Sequence, residues 1–150
     1  MIILRPFTPA DYPAYAAYNP QITPDIYERY LSQWNTRSHN GRYFEMFAVV
    51  AKSALVGFCS LAETPEGYIS EGIEIYPPYR RRGYAREAVD ALLLHAATLG
   101  YRQVYAQIRT NNLPSLLLHE NLGFSRVGVP FLNKHHREVV LLVHEFINET

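Results

Sequence analysis

"IEIYPPYRRRGYAREAV", residues 73–89, runs from a β-like apolar segment into a helix-like one through three arginines and a glycine. The hydrophobic period changes across it. Upstream, "YISEGIEIY" reads as a strand. Downstream, Ala85, Val89, Leu92, Ala96 and Leu99 recur at steps of four, three, four and three, which is one stripe of an amphipathic helix. Gly100 stands where a helix-ending glycine belongs. A helix start leaves backbone N–H groups without intrahelical partners, and the aligned peptide dipoles add about half a positive charge there. Phosphate fits such a place. The amides of Arg82, Gly83, Tyr84 and Ala85 are expected to point out of this helix. Gly83 removes a side chain that would hold a ligand away, and Ala85 keeps the next turn thin. Arg80, Arg81, Arg82 and Arg86 add charge. A solvated arginine patch is the alternative, but three cations at the positive end of a helix repel one another and the dipole unless an anion joins them. Two familiar phosphate loops are excluded. A P-loop needs Gly-Lys-Ser/Thr at the helix start, and a dinucleotide fingerprint needs three spaced glycines.

On the N-terminal side, "IILRPFT" reads as a strand. Thr8-Pro9 starts a helix over "ADYPAYAAYN", and a second helix is expected from Pro24 to about Trp34. "HNGR" breaks the pattern, and "YFEMFAVVA" and "LVGFCSLAE" read as a hairpin of two long strands. On the C-terminal side, "YRQVYAQIR" is a strand with Val104, Ala106 and Ile108 on one face. "NNLPSLLLHENLGF" is a short helix capped by Asn112 and ended by Gly123, and "FSRVGVPF" and "REVVLLVHEF" are the last strands. Strands first, then strand–helix–strand–helix–strand, give one mixed α/β (α+β) domain over residues 1–150.

Acids and bases balance at 14 each, so no global basic excess points to nucleic acid or a membrane surface. Charge matters here only where it clusters. The single cysteine, Cys59, lies in an apolar run and reads as a buried thiol. "MIILRPFTPADY" carries no long apolar segment behind a basic start, and the expected location is cytoplasmic. His135 and His136 are adjacent in an extended segment where their side chains diverge, so no metal is expected.

"RRRGYA", residues 80–85, resembles the Gln/Arg-x-x-Gly-x-Gly/Ala signature of the GNAT superfamily of acyl-CoA-dependent N-acyltransferases. "IEIYPPY" is similar to that family's fourth strand and its Pro-x-Tyr lead-in. "NNLPSLLLHENLGF" is similar to its second block, with an Asn, a Ser three residues later and a closing Leu-Gly-Phe. The resemblance covers residues 70–128. It implies a central mixed sheet of about six to seven strands, splayed between the family's fourth and fifth, with about four helices around it. It implies acetyl-CoA as cosubstrate, its pyrophosphate on the amides of residues 81–85 beside Arg80, Arg81 and Arg82. Its pantetheine arm would lie along Ile73 to Ile75, with Asn112 and Ser115 facing it. The implied reaction is direct attack by a primary amine, of a small molecule or a peptide N-terminus, by an enzyme acting as monomer or homodimer.

The pattern departs from the family at two places. His119 stands where many relatives carry the tyrosine that protonates the departing thiolate. A histidine can donate a proton when charged, or sit as a polar residue at the helix rim. Gln107 replaces a glutamate that some relatives use as base, leaving Glu74 as the nearest carboxylate and Glu71 second. These departures motivate an alternative, an acyl-CoA-binding sensor or partner-binding domain with weak catalysis. Tyr27, Tyr30 and Trp34, at helical spacing, are either core aromatics or the wall of an acceptor pocket. Keeping an α-amine neutral at pH 7 costs about 1–1.5 kcal/mol, against roughly 4–5 for a lysine-like amine, so a site without a sure base leans toward the less basic acceptor.

Overall fold

The computed structural model describes residues 1–146. Its strands are β1 (Ile2–Arg5), β2 (Ser38–His39), β3 (Arg42–Ala51), β4 (Ala54–Glu63), β5 (Ile69–Ile75), β6 (Gln103–Arg109), β7 (Ser125–Leu132) and β8 (Glu138–Glu145). The helices are α1 (Tyr12–Tyr18), α2 (Pro24–Asn35), α3 (Tyr84–Thr98) and α4 (Leu113–Asn121), with short 3₁₀ turns at Pro9–Asp11 and Pro77–Tyr79. The strands form one sheet in the order β1-β3-β4-β5-β6-β8-β7, and β2 adds a two-residue extension against β3. The expected mixed sheet with four helices is therefore present, with β2 as the strand that sequence pattern did not announce. The family's fourth and fifth strands are β5 and β6 here.

Alternation along the strands separates two cores. Phe47, Val49 and Ala51 of β3 and Val104, Ala106 and Ile108 of β6 face α3 and α4, where they meet Val89, Leu92 and Ala96. The opposite face buries Ala48 and Leu55 against Phe7, Tyr15, Tyr27 and Leu31 of the N-terminal segment and helices. The α3 stripe holds as expected through Ala96, but Leu99 is 46% exposed. The helix ends at Thr98, one residue before Leu99 could turn inward, and Gly100 takes a left-handed φ of 92°.

Polar groups lock the elements at three places. Arg5 forks onto Asp11 at 2.7 and 2.8 Å, which ties β1 to the start of α1. Asp11 also accepts the Thr8 amide at 2.8 Å. Glu45, buried on β3, accepts from His95 of α3 at 2.8 Å and from the Tyr43 hydroxyl. Glu87 of α3 accepts the Ile2 amide at 3.2 Å.

Every neighbouring strand pair is antiparallel except β5 and β6. These two run parallel, and only Ser70↔Tyr105 and Glu71↔Ala106 are in register. Beyond Glu71 the strands part. β5 remains paired to β4 along its whole length and β6 to β8, so the parting opens between two well-anchored halves of the sheet. Tyr68 and Tyr105, with ring centroids 4.8 Å apart, clasp the closed end.

The anchoring of β5 depends on Gly57 of β4. A Cβ there would run into the Glu74 carbonyl oxygen and stand 2.9 Å from the Ile75 Cα. Gly57→Ala is expected to cost about 1–3 kcal/mol, the usual size of an overpacking defect, read as a lower urea midpoint. An unchanged midpoint would mean that β4 and β5 do not press together at this point.

Candidate active site

Helix α3 opens onto the parted strands. Its N-cap is Gly83, in a left-handed conformation with φ of 81°, and the first intrahelical bond runs from the Glu87 amide to the Gly83 carbonyl at 3.1 Å. No side chain caps this end. Among the described residues, none of the amides of residues 81–86 meets a protein acceptor. Such donors are costly to leave dry and are ready for an anion. A Cβ placed on Gly83 would meet nothing within 4 Å, so the space in front of the helix is open, and φ here is one that side-chain-bearing residues rarely adopt. Arg81 also has a positive φ, of 64°.

A cavity of about 940 Å³ lies in front of this helix end. Its walls bring together residues far apart in sequence: Ile73, Glu74 and Ile75 from β5, Arg80, Arg81 and Gly83 to Arg86 from the turn and α3, and Asn112 and Ser115 from α4. Asn112 caps α4 by accepting the Ser115 amide at 3.3 Å. The arginines divide. Arg80 donates from Nε to the Ile75 carbonyl at 2.8 Å, tying the turn to the end of β5. Arg82 does not border the cavity; its guanidinium lies 6.0 Å from the Tyr79 ring centroid. Arg109, from β6, adds a cation that sequence reasoning missed, because only the parallel pairing of β5 and β6 brings it opposite the turn.

A smaller cavity of about 270 Å³ sits at the vertex of the parted strands, bordered by Glu71, Ile73, Gln107, Arg109, Ser115 and His119. It shares Ile73, Arg109, Asn112 and Ser115 with the larger one. His119 is only 1% exposed and packs edge-on against Phe124 at 4.9 Å. Its Nε2 abuts Glu71 Oε1, and its Nδ1 lies 2.7 Å from the Ser115 carbonyl and 3.4 Å from the Ser115 hydroxyl. The rim position is thus excluded for His119. Glu71 is buried too, and its Oε2 has no hydrogen-bond partner. Burial works against a charged imidazole, but the Glu71 carboxylate, by hydrogen bond and by charge, and the Ser115 carbonyl outweigh it and raise the His119 pKa.

The remaining candidates sit in different surroundings. Glu74 is exposed on the opposite sheet face from Glu71, the side of Tyr15 and Tyr76. Tyr27 is a core residue, 3% exposed, whose hydroxyl donates to the Thr8 carbonyl at 2.7 Å. Trp34 packs on Phe7 with centroids 5.2 Å apart, and Tyr30 packs on Trp34 at 5.6 Å. None of these three aromatics borders either cavity. The reason is simple: α2 packs its aromatic stripe onto the N-terminal core, with Tyr27 buried and Tyr30 and Trp34 half-buried. Cys59 is buried, and desolvation, with Glu71 nearby, pushes its thiol pKa upward, which suits a packing residue and not a nucleophile. No cluster that could hold a metal ion occurs among the described residues. No helix among them is long and apolar enough to cross a membrane.

The family model for the acetyltransferase (GNAT) domain matches residues 1–125. The chain belongs to the GNAT acetyltransferase family. The uncharacterized N-acetyltransferase YokL, derived from the SPbeta prophage of Bacillus subtilis, is 27% identical over 101 residues, 65% of this chain. The match spans 57% of that relative, just over half its length. RimJ of Mycobacterium smegmatis, solved in complex with CoA-disulfide, superposes with a TM-score of 0.80 at 17% identity, covering 96% of this chain and 81% of RimJ. The Salmonella typhimurium yncA structure with its cofactor acetyl-CoA gives 0.76 at 16% identity, covering 100% and 96%. At these identities the structures establish the fold alone.

The buried pair gives this GNAT domain a signature in its stability. Because the His119 pKa is raised on folding, its contribution is complete below the ordinary imidazole value of about 6.5 and is lost as pH rises through the folded value. Urea unfolding of the wild type and His119→Gln should therefore diverge most at the acid end of this window and converge above it. A difference that grows with rising pH would reverse the sign and contradict the pairing.

Proposed function

We propose that residues 1–150 form one GNAT domain that transfers the acetyl group of acetyl-CoA to a primary amine of a small molecule or a peptide N-terminus. The observation that carries this reading is the row of unclaimed amides at the start of α3, open in front of Gly83 and continuous with the parted strands. The groups present fit the cosubstrate. The amides of residues 81–85, with Arg80 and Arg81, suit a diphosphate by charge and donor count. Arg82, turned onto Tyr79, adds only to the local field. Unpaired backbone along Ile73 to Ile75 suits the amides of a pantetheine arm, although the Ile75 carbonyl already accepts from Arg80. Asn112 and Ser115 face the same space from α4. When bound, acetyl-CoA supplies an acyl carbon activated toward a nucleophile.

The chain's own residues position, desolvate and move protons. His119 is the proton store for the departing thiolate. Glu74, exposed and bordering the large cavity, takes the amine's proton through a water. The inaccessible Cys59 supports direct attack by the amine. With no carboxylate held rigidly against the acceptor, the site favours an amine that is partly neutral at pH 7, such as an α-amine.

Two measurements test this. Gly83→Glu should weaken acetyl-CoA binding at least tenfold by calorimetry, about 1.4 kcal/mol or more, because bulk and negative charge enter the anion site. Near-native affinity would displace the cofactor from this helix end. A panel of amines and amino-terminal peptides should yield CoA release that saturates with one acceptor class. Tight cofactor binding with no turnover across the panel would favour the non-catalytic sensor.

A further inference from the structure

We propose that the Ser115 hydroxyl delivers the proton to the departing thiolate, resupplied by His119, with Glu71 as the positioning residue behind the ring; this rests on the acetyl-transfer reading above. The argument begins with access. His119 is 1% exposed, and both ring nitrogens are engaged inside the protein. The ring borders the vertex cavity, but neither nitrogen is free to reach a group held there. Ser115, one helical turn before His119 on α4, is half-buried and borders both cavities. The buried store therefore reaches the reaction space through the serine.

Hydrogen-bond polarity fixes the direction. The Ser115 carbonyl, 2.7 Å from Nδ1, only accepts, so Nδ1 carries a proton. That N–H also faces Ser115 Oγ at 3.4 Å. The hydroxyl is thus on the receiving side of His119 and keeps its own proton free to donate. A nucleophilic serine needs the opposite polarity, with the histidine accepting, so this Ser–His–Glu line is not one that forms an acyl-enzyme. Glu71 completes the set. Its Oε1 meets Nε2 and fixes the ring, while the unpartnered Oε2 is buried at the vertex cavity.

The step balances as follows. The amine nitrogen bonds to the acetyl carbon and the carbon–sulfur bond breaks. Ser115 Oγ gives its proton to the sulfur and takes the proton from His119 Nδ1. The ring passes from imidazolium to imidazole, with Nε2–H still on Glu71. The proton that the amine sheds leaves to solvent, and solvent recharges His119. The charged or titratable groups facing the pair are few: Cys59 from β4, which feels the Glu71 charge, and Arg109 from β6 at the cavity wall. His144 of β8 lies beyond Phe124, whose ring it approaches at 5.5 Å.

The test combines the free protein with turnover. In the free protein, imidazole NMR should show His119 titrating above the ordinary value. Glu71→Gln should lower that midpoint, and Ser115→Ala should leave it in place. In turnover, Ser115→Ala should cut kcat about 100-fold, the size of a general acid's contribution, with acetyl-CoA affinity within threefold of wild type. Ser115→Thr, which keeps a hydroxyl, should recover most of the rate. The wild-type kcat should fall at alkaline pH along the NMR titration of His119. Retention of wild-type kcat in Ser115→Ala overturns the relay. So does a loss of rate matched by an equal loss of cofactor affinity, or an NMR midpoint that Glu71→Gln does not move. A wild type that binds acetyl-CoA but acetylates no amine overturns the acetyl-transfer reading itself, and the relay with it.

Discussion

Two strands that stay parallel for only two residue pairs set the terms for everything else in this molecule. A sheet normally consumes its backbone donors and acceptors internally, and a gap in the middle of one leaves polar groups dry unless something occupies it. Here the gap is held open by structure on both sides. β5 is fastened to β4, with Gly57 allowing the close approach, and β6 is fastened to β8. The start of α3 faces the same opening and contributes a second set of unclaimed amides. The fold thus places a line of main-chain hydrogen-bonding groups along one groove.

Charge in this protein is local. The chain is neutral overall, yet Arg80, Arg81, Arg86 and Arg109 border one cavity, with Glu74 the acid among its lining residues. The buried His119–Glu71 pair lies at the vertex, away from the Arg80–Arg86 turn but beside Arg109, and is reached past Ser115. Separation of these two electrostatic environments has a physical consequence. The turn with Arg80, Arg81 and Arg86 suits a multiply charged phosphate group, while the vertex buries a proton between His119 and Glu71, with Phe124 packed on the ring. One groove can therefore bind at one end and exchange protons at the other.

Much of this was legible in the sequence. The change of hydrophobic period at Tyr84, the bare Gly83 and the cap at Asn112 are local features, and local physics decides them. The sheet with four helices followed from the order of such segments. What was not legible depends on contacts between distant segments. His119 could be read as a proton donor or as a polar residue at the helix rim; only the packing of α4 across β5 buries it against Glu71. Arg82 was indistinguishable from Arg81 in the sequence, and the turn geometry separates them. Tyr27, Tyr30 and Trp34 share a helical spacing that serves core and pocket equally well, and the packing of α2 on Phe7 decides for the core. The split roles of Glu71 and Glu74 follow from strand parity, three residues being an odd step that sends their side chains to opposite faces.

The account rests on the groove between β5 and β6, with the mouth of α3 at its end, being the seat of the thioester cosubstrate. A crystal structure with acetyl-CoA tests this most directly. The result expected is a diphosphate on the amides of residues 81–85, an extended arm between the parted strands, and sulfur near the Ser115 hydroxyl. A cofactor bound elsewhere, or strands that close to full pairing when it binds, would contradict it.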